Sequence, residues 1–136
     1  FHSRNEIYLE KYVKEVMTEA RLALEIAKTM IFPAAVEYQN RLAGTSIALK
    51  TLGKAHCTTV LDELSGLVAD FQGKIEELRK AIAHEAKGEV VDHARHCRDA
   101  ISPAMLAVRQ VADQLEGIVA DDLWPLPTYQ EMLFIK

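Results

Sequence analysis

The sequence predicts an all-α protein: an antiparallel bundle of three long, kinked helices, followed by an extended apolar C-terminal tail. Three stretches carry apolar residues in alternating steps of three and four, which is the spacing of one helix face. The connections between these stretches are short, so consecutive helices should lie antiparallel. A chain of 136 residues that is 49% hydrophobic and 26% charged can bury a core of its own. We therefore expect a single helical domain over residues 1–136.

The first helix is predicted over residues 4–43. Small residues are frequent on its apolar face, so a neighbouring helix can approach closely. That face comprises Leu9, Val13, Val16, Ala20, Ala23, Ala27, Met30 and Ala34. Pro33 predicts a kink, because proline lacks an N–H group and its ring crowds the preceding turn. Gly44 is expected to end the helix.

A second apolar stripe leaves the number of packed helices open. It comprises Met17, Leu24, Ile31 and Val119. A further helix, supplied by another chain, could cover such a stripe. Three and four packed helices therefore both remain compatible with the sequence.

The second helix is predicted over residues 59–87, after a connector at residues 44–58. Within the connector, Ser46 can cap a short extra helix that Gly53 would break. Thr59 can cap the second helix, and acidic residues follow it in the first turn, where the helix dipole favours negative charge. The apolar face keeps heptad spacing. It comprises Leu61, Leu64, Val68, Phe71, Ile75, Leu78 and Ile82.

The third helix is predicted over residues 89–122. Pro103 lies inside it and predicts a second bend. The apolar stripe again advances in steps of four and three. It comprises Val90, Ala94, Cys97, Ile101, Ala104, Val108, Val111, Leu115 and Ile118.

Residues 123–136 form the predicted tail, in which two prolines prevent the helix from continuing. An apolar chain end is rarely left in water, so the tail should dock against something. The candidate docking residues are Trp124, Tyr129, Leu133 and Phe134. Two possibilities remain open. The tail could dock outside this domain, on another part of a longer protein or on a neighbouring subunit. It could instead fold back over the base of the chain's own bundle, where Trp124 would be buried.

One local cluster has the residue types of a transition-metal site. It comprises Glu89, Asp92, His93, His96 and Cys97. The heptad pattern places His93 on the flank of the seam and directs Asp92 and His96 to solvent. We therefore expect a solvated helix face and no metal site. Cys97 and Cys57 fall on heptad positions and are expected to be small core residues.

The overall charge and composition exclude other classes of function. A net charge of −4 and a pI near 5.7 argue against a nucleic-acid-binding surface. No run of about 18 apolar residues predicts a membrane span. Two cysteines and no export signal point to the cytoplasm. Because the chain begins at Phe1 and enters a helical pattern at once, we expect it to be an excerpt of a longer protein.

Two stretches resemble type III glutamine synthetases. Residues 4–12 read Arg-Asn-Glu-Ile-Tyr-Leu-Glu-Lys-Tyr, and residues 123–136 read Leu-Trp-Pro-Leu-Pro-Thr-Tyr-Gln-Glu-Met-Leu-Phe-Ile-Lys. The closing segment is the more specific, because such a run at a C-terminus is hard to reach by chance. Further similarity covers residues 34–43 and 95–113, whereas residues 47–61 match no family pattern.

The resemblance implies a structural and assembly domain at the C-terminal end of an ATP-dependent glutamate–ammonia ligase. ATP and a divalent metal such as Mg²⁺ are implied for the parent enzyme, in a catalytic part upstream of Phe1. The implied partners are that catalytic core and the neighbouring subunits of a homo-oligomeric ring. No catalytic, cofactor-binding or metal-binding residue is carried over to this segment. The alternative is a stand-alone helical bundle that binds or regulates another protein.

Overall fold

The computed structural model describes residues 2–84 and 88–127, and the regular secondary structure within these ranges is helical throughout. The predicted all-α class is confirmed, with three continuous helical stretches. The first is α1 (His2–Ile26), a π turn (Ala27–Ile31) and α2 (Phe32–Thr51); the second is α3 (Thr59–Ala83); the third is α4 (Val90–His96), a second π turn (Cys97–Ile101) and α5 (Ser102–Glu116).

One hydrophobic core joins the three stretches, and its largest fully buried side chains are Phe71, Leu64, Leu78, Ile101 and Leu115. α3 packs against α5, α2 and α1, while α1 also packs against α4. The rest of the core consists of Val16, Ala20, Ala27, Ile31, Ala35, Val68, Cys97, Val108, Val111, Ala112 and Val119. The predicted seam of α3 is confirmed, since each of its seven residues is buried or half-buried.

Each proline inside a helical stretch follows a π turn. The N–H of Phe32 donates to the carbonyl of Ala27, and the N–H of Ser102 donates to the carbonyl of Cys97, which is the i to i+5 bond of a π-helix. Pro33 and Pro103 come one residue later and can donate no bond of their own. The helix therefore widens at the turn that proline would otherwise crowd.

The first π turn moves the buried face of the helix by one position. Met30 and Ala34 were predicted to lie on the seam, but Met30 is 38% exposed. Ile31 and Ala35 take the core positions instead, at 5% and 0% exposure. A π turn holds one more residue than an α turn, so every position after it advances by one. Ile31, assigned to the second stripe by the sequence, thus belongs to the core.

The first helical stretch does not end at Gly44, as the sequence predicted, but continues to Thr51. Gly53 has a φ of 71° and follows the cap residue Leu52. The N–H of Lys54 donates to the Leu49 carbonyl at 2.8 Å, and the N–H of Gly53 donates to the Lys50 carbonyl at 3.1 Å. These two bonds form a Schellman motif, which stops a helix. Glycine inside a helix only weakens it, so Gly44 alone does not.

The other helix limits also differ from the predicted ones. α3 begins at Thr59, so the cap residue is Thr58, whose hydroxyl donates to Asp62 Oδ2 at 3.1 Å. α3 ends at Ala83, before the predicted residue 87, which lies outside the described residues. α5 ends at Glu116 and is followed by turns, instead of continuing to residue 122.

Candidate docking site

Of the four predicted docking residues, the structure describes Trp124. Its side chain is half-buried and packs against the core together with those of Leu123 and Leu126. Tyr129, Leu133 and Phe134 lie outside the described residues. The described beginning of the tail therefore lies on the chain's own helices.

Backbone hydrogen bonds turn the chain at residues 120–124. The Ala120 carbonyl accepts from the N–H of Leu123 at 2.9 Å and from the N–H of Trp124 at 3.2 Å. A side-chain contact supports the turn, because a guanidinium nitrogen of Arg41 lies 3.4 Å from Asp122 Oδ2. Beyond this turn, Trp124, Leu126 and Pro127 lie beside residues of α1 and α5.

An open groove of about 760 Å³ lies beside this turn. Its apolar lining comprises Ala23, Ile26, Ala27, Ile31, Met105, Leu106, Val108, Ala112, Trp124, Leu126 and Pro127. Charged residues, among them Glu19, Arg109 and Asp113, lie at its edge. An apolar floor with a polar edge is typical of a surface that binds apolar groups.

Sequence patterns alone did not identify this groove. Its lining includes three small side chains, those of Ala23, Ala27 and Ala112, which fill less space than larger apolar residues would. The run of alanines in the first predicted stripe was the available signal. Such a run predicts close approach of a neighbouring helix, which agrees with the complete burial of Ala20, whereas Ala23 is only half-buried and lines the groove.

A second open groove, of about 900 Å³, lies between the first helical stretch and α3. Its cationic residues include Arg79 and Lys28. Arg79 donates to both carboxylate oxygens of Glu76, and this hydrogen bonding lowers the pKa of the Glu76 carboxyl group. Glu76 therefore already occupies the Arg79 guanidinium, which is less available to an external anion.

Residues of the local cluster that includes His93 and His96 make structural contacts within the fold. The prediction that His96 faces solvent is wrong: the ring is half-buried, and its Nε2 lies 2.7 Å from the Ala81 carbonyl oxygen. The rings of His84 and His96 are 4.9 Å apart. Asp92 Oδ2 accepts the N–H of Glu89 at 3.2 Å at the start of α4. Over residues 2–84 and 88–127, no three His, Cys, Asp or Glu side chains are grouped to share a metal ion.

The two cysteines occupy different environments. Cys97 is buried as predicted, and burial raises the pKa of its thiol. Cys57 is exposed, so the prediction of a core position is wrong. It precedes α3 and therefore does not follow that helix's heptad. Its Sγ lies 3.0 Å from the Thr59 hydroxyl oxygen, and this hydrogen bond lowers the pKa of the Cys57 thiol.

The sequence matches a family model described as the glutamine synthetase C-terminal domain, over residues 1–50. Three similar proteins align with 98% of the chain. They are a glutamine synthetase of Bacteroides fragilis (strain YCH46), 31% identical, a type-3 glutamine synthetase of Dictyostelium discoideum, 28% identical, and a glutamine synthetase of Butyrivibrio fibrisolvens, 27% identical. The chain spans about one fifth of the length of each, as 20% of each relative is aligned.

The fold and the groove define an all-helical domain whose evident surface feature is an apolar groove beside the start of its tail. None of its described helices combines the length and the apolar character needed to cross a bilayer. The matches make the assignment more specific: the chain belongs to the C-terminal domains of the glutamine synthetase family. One of the three relatives that align with 98% of it is named a type-3 glutamine synthetase.

Proposed function

We propose that the chain is the structural and assembly domain of a type III glutamine synthetase, a cytoplasmic ligase of nitrogen metabolism that condenses glutamate and ammonia with ATP hydrolysis. The observation that carries this proposal is the alignment of 98% of the chain with only 20% of each relative. On this proposal, the catalytic residues belong to the rest of the polypeptide. ATP and the divalent metal, such as Mg²⁺, are bound there too.

The helical stretches are proposed to form a single domain in which they run up, down and up, with kinks at Pro33 and Pro103. Two cross-helix contacts support this arrangement. Gln39 Nε2 in α2 donates to Ser65 Oγ near the start of α3 at 2.9 Å, and His96 in α4 contacts the Ala81 carbonyl near the end of α3. The short connections between the stretches also favour antiparallel neighbours.

The proposed partners are the parent's catalytic core and the neighbouring subunits of a homo-oligomeric ring. Large apolar side chains that are exposed in the described structure support contacts of this kind. They occur near the start of α1, at Ile7 and Tyr8, and around the connection of α2 to α3, at Ile47, Leu52 and Val60.

Docking of the tail through Trp124, Tyr129, Leu133 and Phe134 also remains part of the proposal. The catalytic core, a neighbouring subunit and the chain's own bundle are the candidate targets. The packing of Trp124 against the core favours the chain's own bundle.

The test is to express the complete gene and assay glutamine formation from glutamate, ammonia and ATP, with the 136-residue segment assayed in parallel. We expect turnover by the complete protein and none by the segment. Deleting residues 1–136 from the complete protein should change the number of subunits in its assembly, as measured by sedimentation. A complete gene without a catalytic part, or turnover by the segment alone, would overturn the proposal.

A further inference from the structure

We propose that residues 128–136 dock in the groove formed by α1, the first π turn and α5 of the same chain, where their apolar side chains cover the accessible lining residues Ala23, Met105 and Leu106. This inference takes the tail docking proposed above and assigns it one target, and it does not depend on the ligase activity of the parent protein. It concerns the occupant of a groove that the described residues leave open.

The course of the chain supports this occupant. Trp124, Leu126 and Pro127 line the groove themselves, so the last described residue lies at its wall. The segment that follows is covalently held at that wall. A short tether gives an effective concentration in the millimolar range, so even weak apolar contacts favour capture by the same chain.

The segment is long enough for the groove. Nine residues follow Pro127, and an extended chain of nine residues spans about 30 Å. On the first helical stretch, the groove wall runs from Glu19 to Ile31, which is about 18 Å of helix. On α5 it runs from Met105 to Glu116, about 17 Å. The segment can therefore follow the whole wall.

The chemistry of the segment matches that of the groove. Its sequence is Thr-Tyr-Gln-Glu-Met-Leu-Phe-Ile-Lys, in which large apolar or aromatic residues predominate. The groove is lined mainly by aliphatic side chains and alanines, and Ala23, Met105 and Leu106 are half-buried or exposed there. Transfer of such residues from water to this lining is favourable in proportion to the apolar area that is buried.

The first experiment removes residues 128–136 from the 136-residue chain. Trp124 is the only tryptophan and lies in the groove wall, so its fluorescence reports on the site. We expect a red shift of its emission and a fall in Tm of at least about 5 °C. Unchanged emission together with unchanged Tm would overturn the proposal.

Two matched substitutions locate the effect. Leu106 lines the groove and is 56% exposed, whereas Ile47 is 67% exposed and lies outside the groove. Leu106→Lys should lower the Tm of the complete chain but not that of the chain that ends at Pro127. Ile47→Lys should have the same effect in both. An equal effect of Leu106→Lys in both chains contradicts docking in this groove.

A third measurement separates docking within one chain from exchange between chains. Docking within one chain predicts a Tm and a Trp124 emission that do not depend on protein concentration. A Tm that rises with concentration, with a dimer in sedimentation, would show that the segment occupies a second copy. That result would overturn the proposal as stated.

Discussion

α3 and the first helical stretch both carry a long apolar stripe in the sequence, but they differ in how the structure uses it. In α3, which is an uninterrupted α-helix, Leu64, Phe71 and Leu78 are buried where the heptad places them. In the first stretch, the stripe follows the core as far as Ala27 and then departs from it at Met30. The difference shows that a heptad predicts burial only while every turn holds the same number of residues.

The sequences at the two π turns share a signal for such a departure of the buried face from the heptad. Ile31 is the last residue of the first turn and Ile101 is the last residue of the second, and each begins an Ile-x-Pro-Ala sequence. The isoleucine is buried in both. In the third stretch the predicted stripe took a step of four from Cys97 to Ile101 and remained correct. In the first it took a step of three and failed.

The largest expected effect concerns α3, the uninterrupted helix of this comparison. Phe71 is fully buried in α3, at 0% exposure. Phe71→Ala should lower the free energy of unfolding by about 3–5 kcal/mol, because it removes apolar burial and leaves a cavity. Urea denaturation followed by circular dichroism measures the change. Val60→Ala, at an exposed site of the same helix, is the control and should change stability by less than about 1 kcal/mol.

The second prediction tests the register after the first π turn. Ile31→Ala should lower the free energy of unfolding by about 2–4 kcal/mol, since Ile31 is buried. Met30→Ala should change it by less than about 1 kcal/mol, since Met30 is exposed. The same denaturation experiment compares the two. A larger effect at Met30 than at Ile31 would restore the uninterrupted heptad and contradict the π turn.

Periodicity therefore predicted the fold class, and it predicted the core of α3 residue by residue. It could not predict the end of the first stretch, because either glycine, Gly44 or Gly53, can adopt the positive φ that ends a helix. Only the backbone hydrogen bonds around Gly53 distinguish the two positions. For the candidate site, the apolar character of the tail pointed to docking. The groove itself depends on how α1 and α5 pack, which no single stripe contains.

A third prediction concerns a polar contact between the regular and the interrupted helices. The Ala81 carbonyl lies in the last turn of α3, where carbonyls lack intrahelical partners, and it accepts from His96 Nε2–H. His96→Ala should lower the free energy of unfolding by about 1–2 kcal/mol, because that carbonyl loses its partner. His56→Ala, at an exposed position in the connector, should have almost no effect. Equal effects would mean that the contact does not contribute to stability.

The smallest expected effect is at the turn that leads into the groove. Arg41 and Asp122 are largely exposed and lie 3.4 Å apart, so Arg41→Ala should lower the free energy of unfolding by at most about 1 kcal/mol. At 1 M salt the difference should nearly vanish, because screening weakens exposed ion pairs. Trp124 fluorescence should stay unchanged, since apolar packing holds that side chain. A red shift of the Trp124 emission in Arg41→Ala would contradict this expectation. It would show that the exposed ion pair, more than apolar packing, positions the start of the tail.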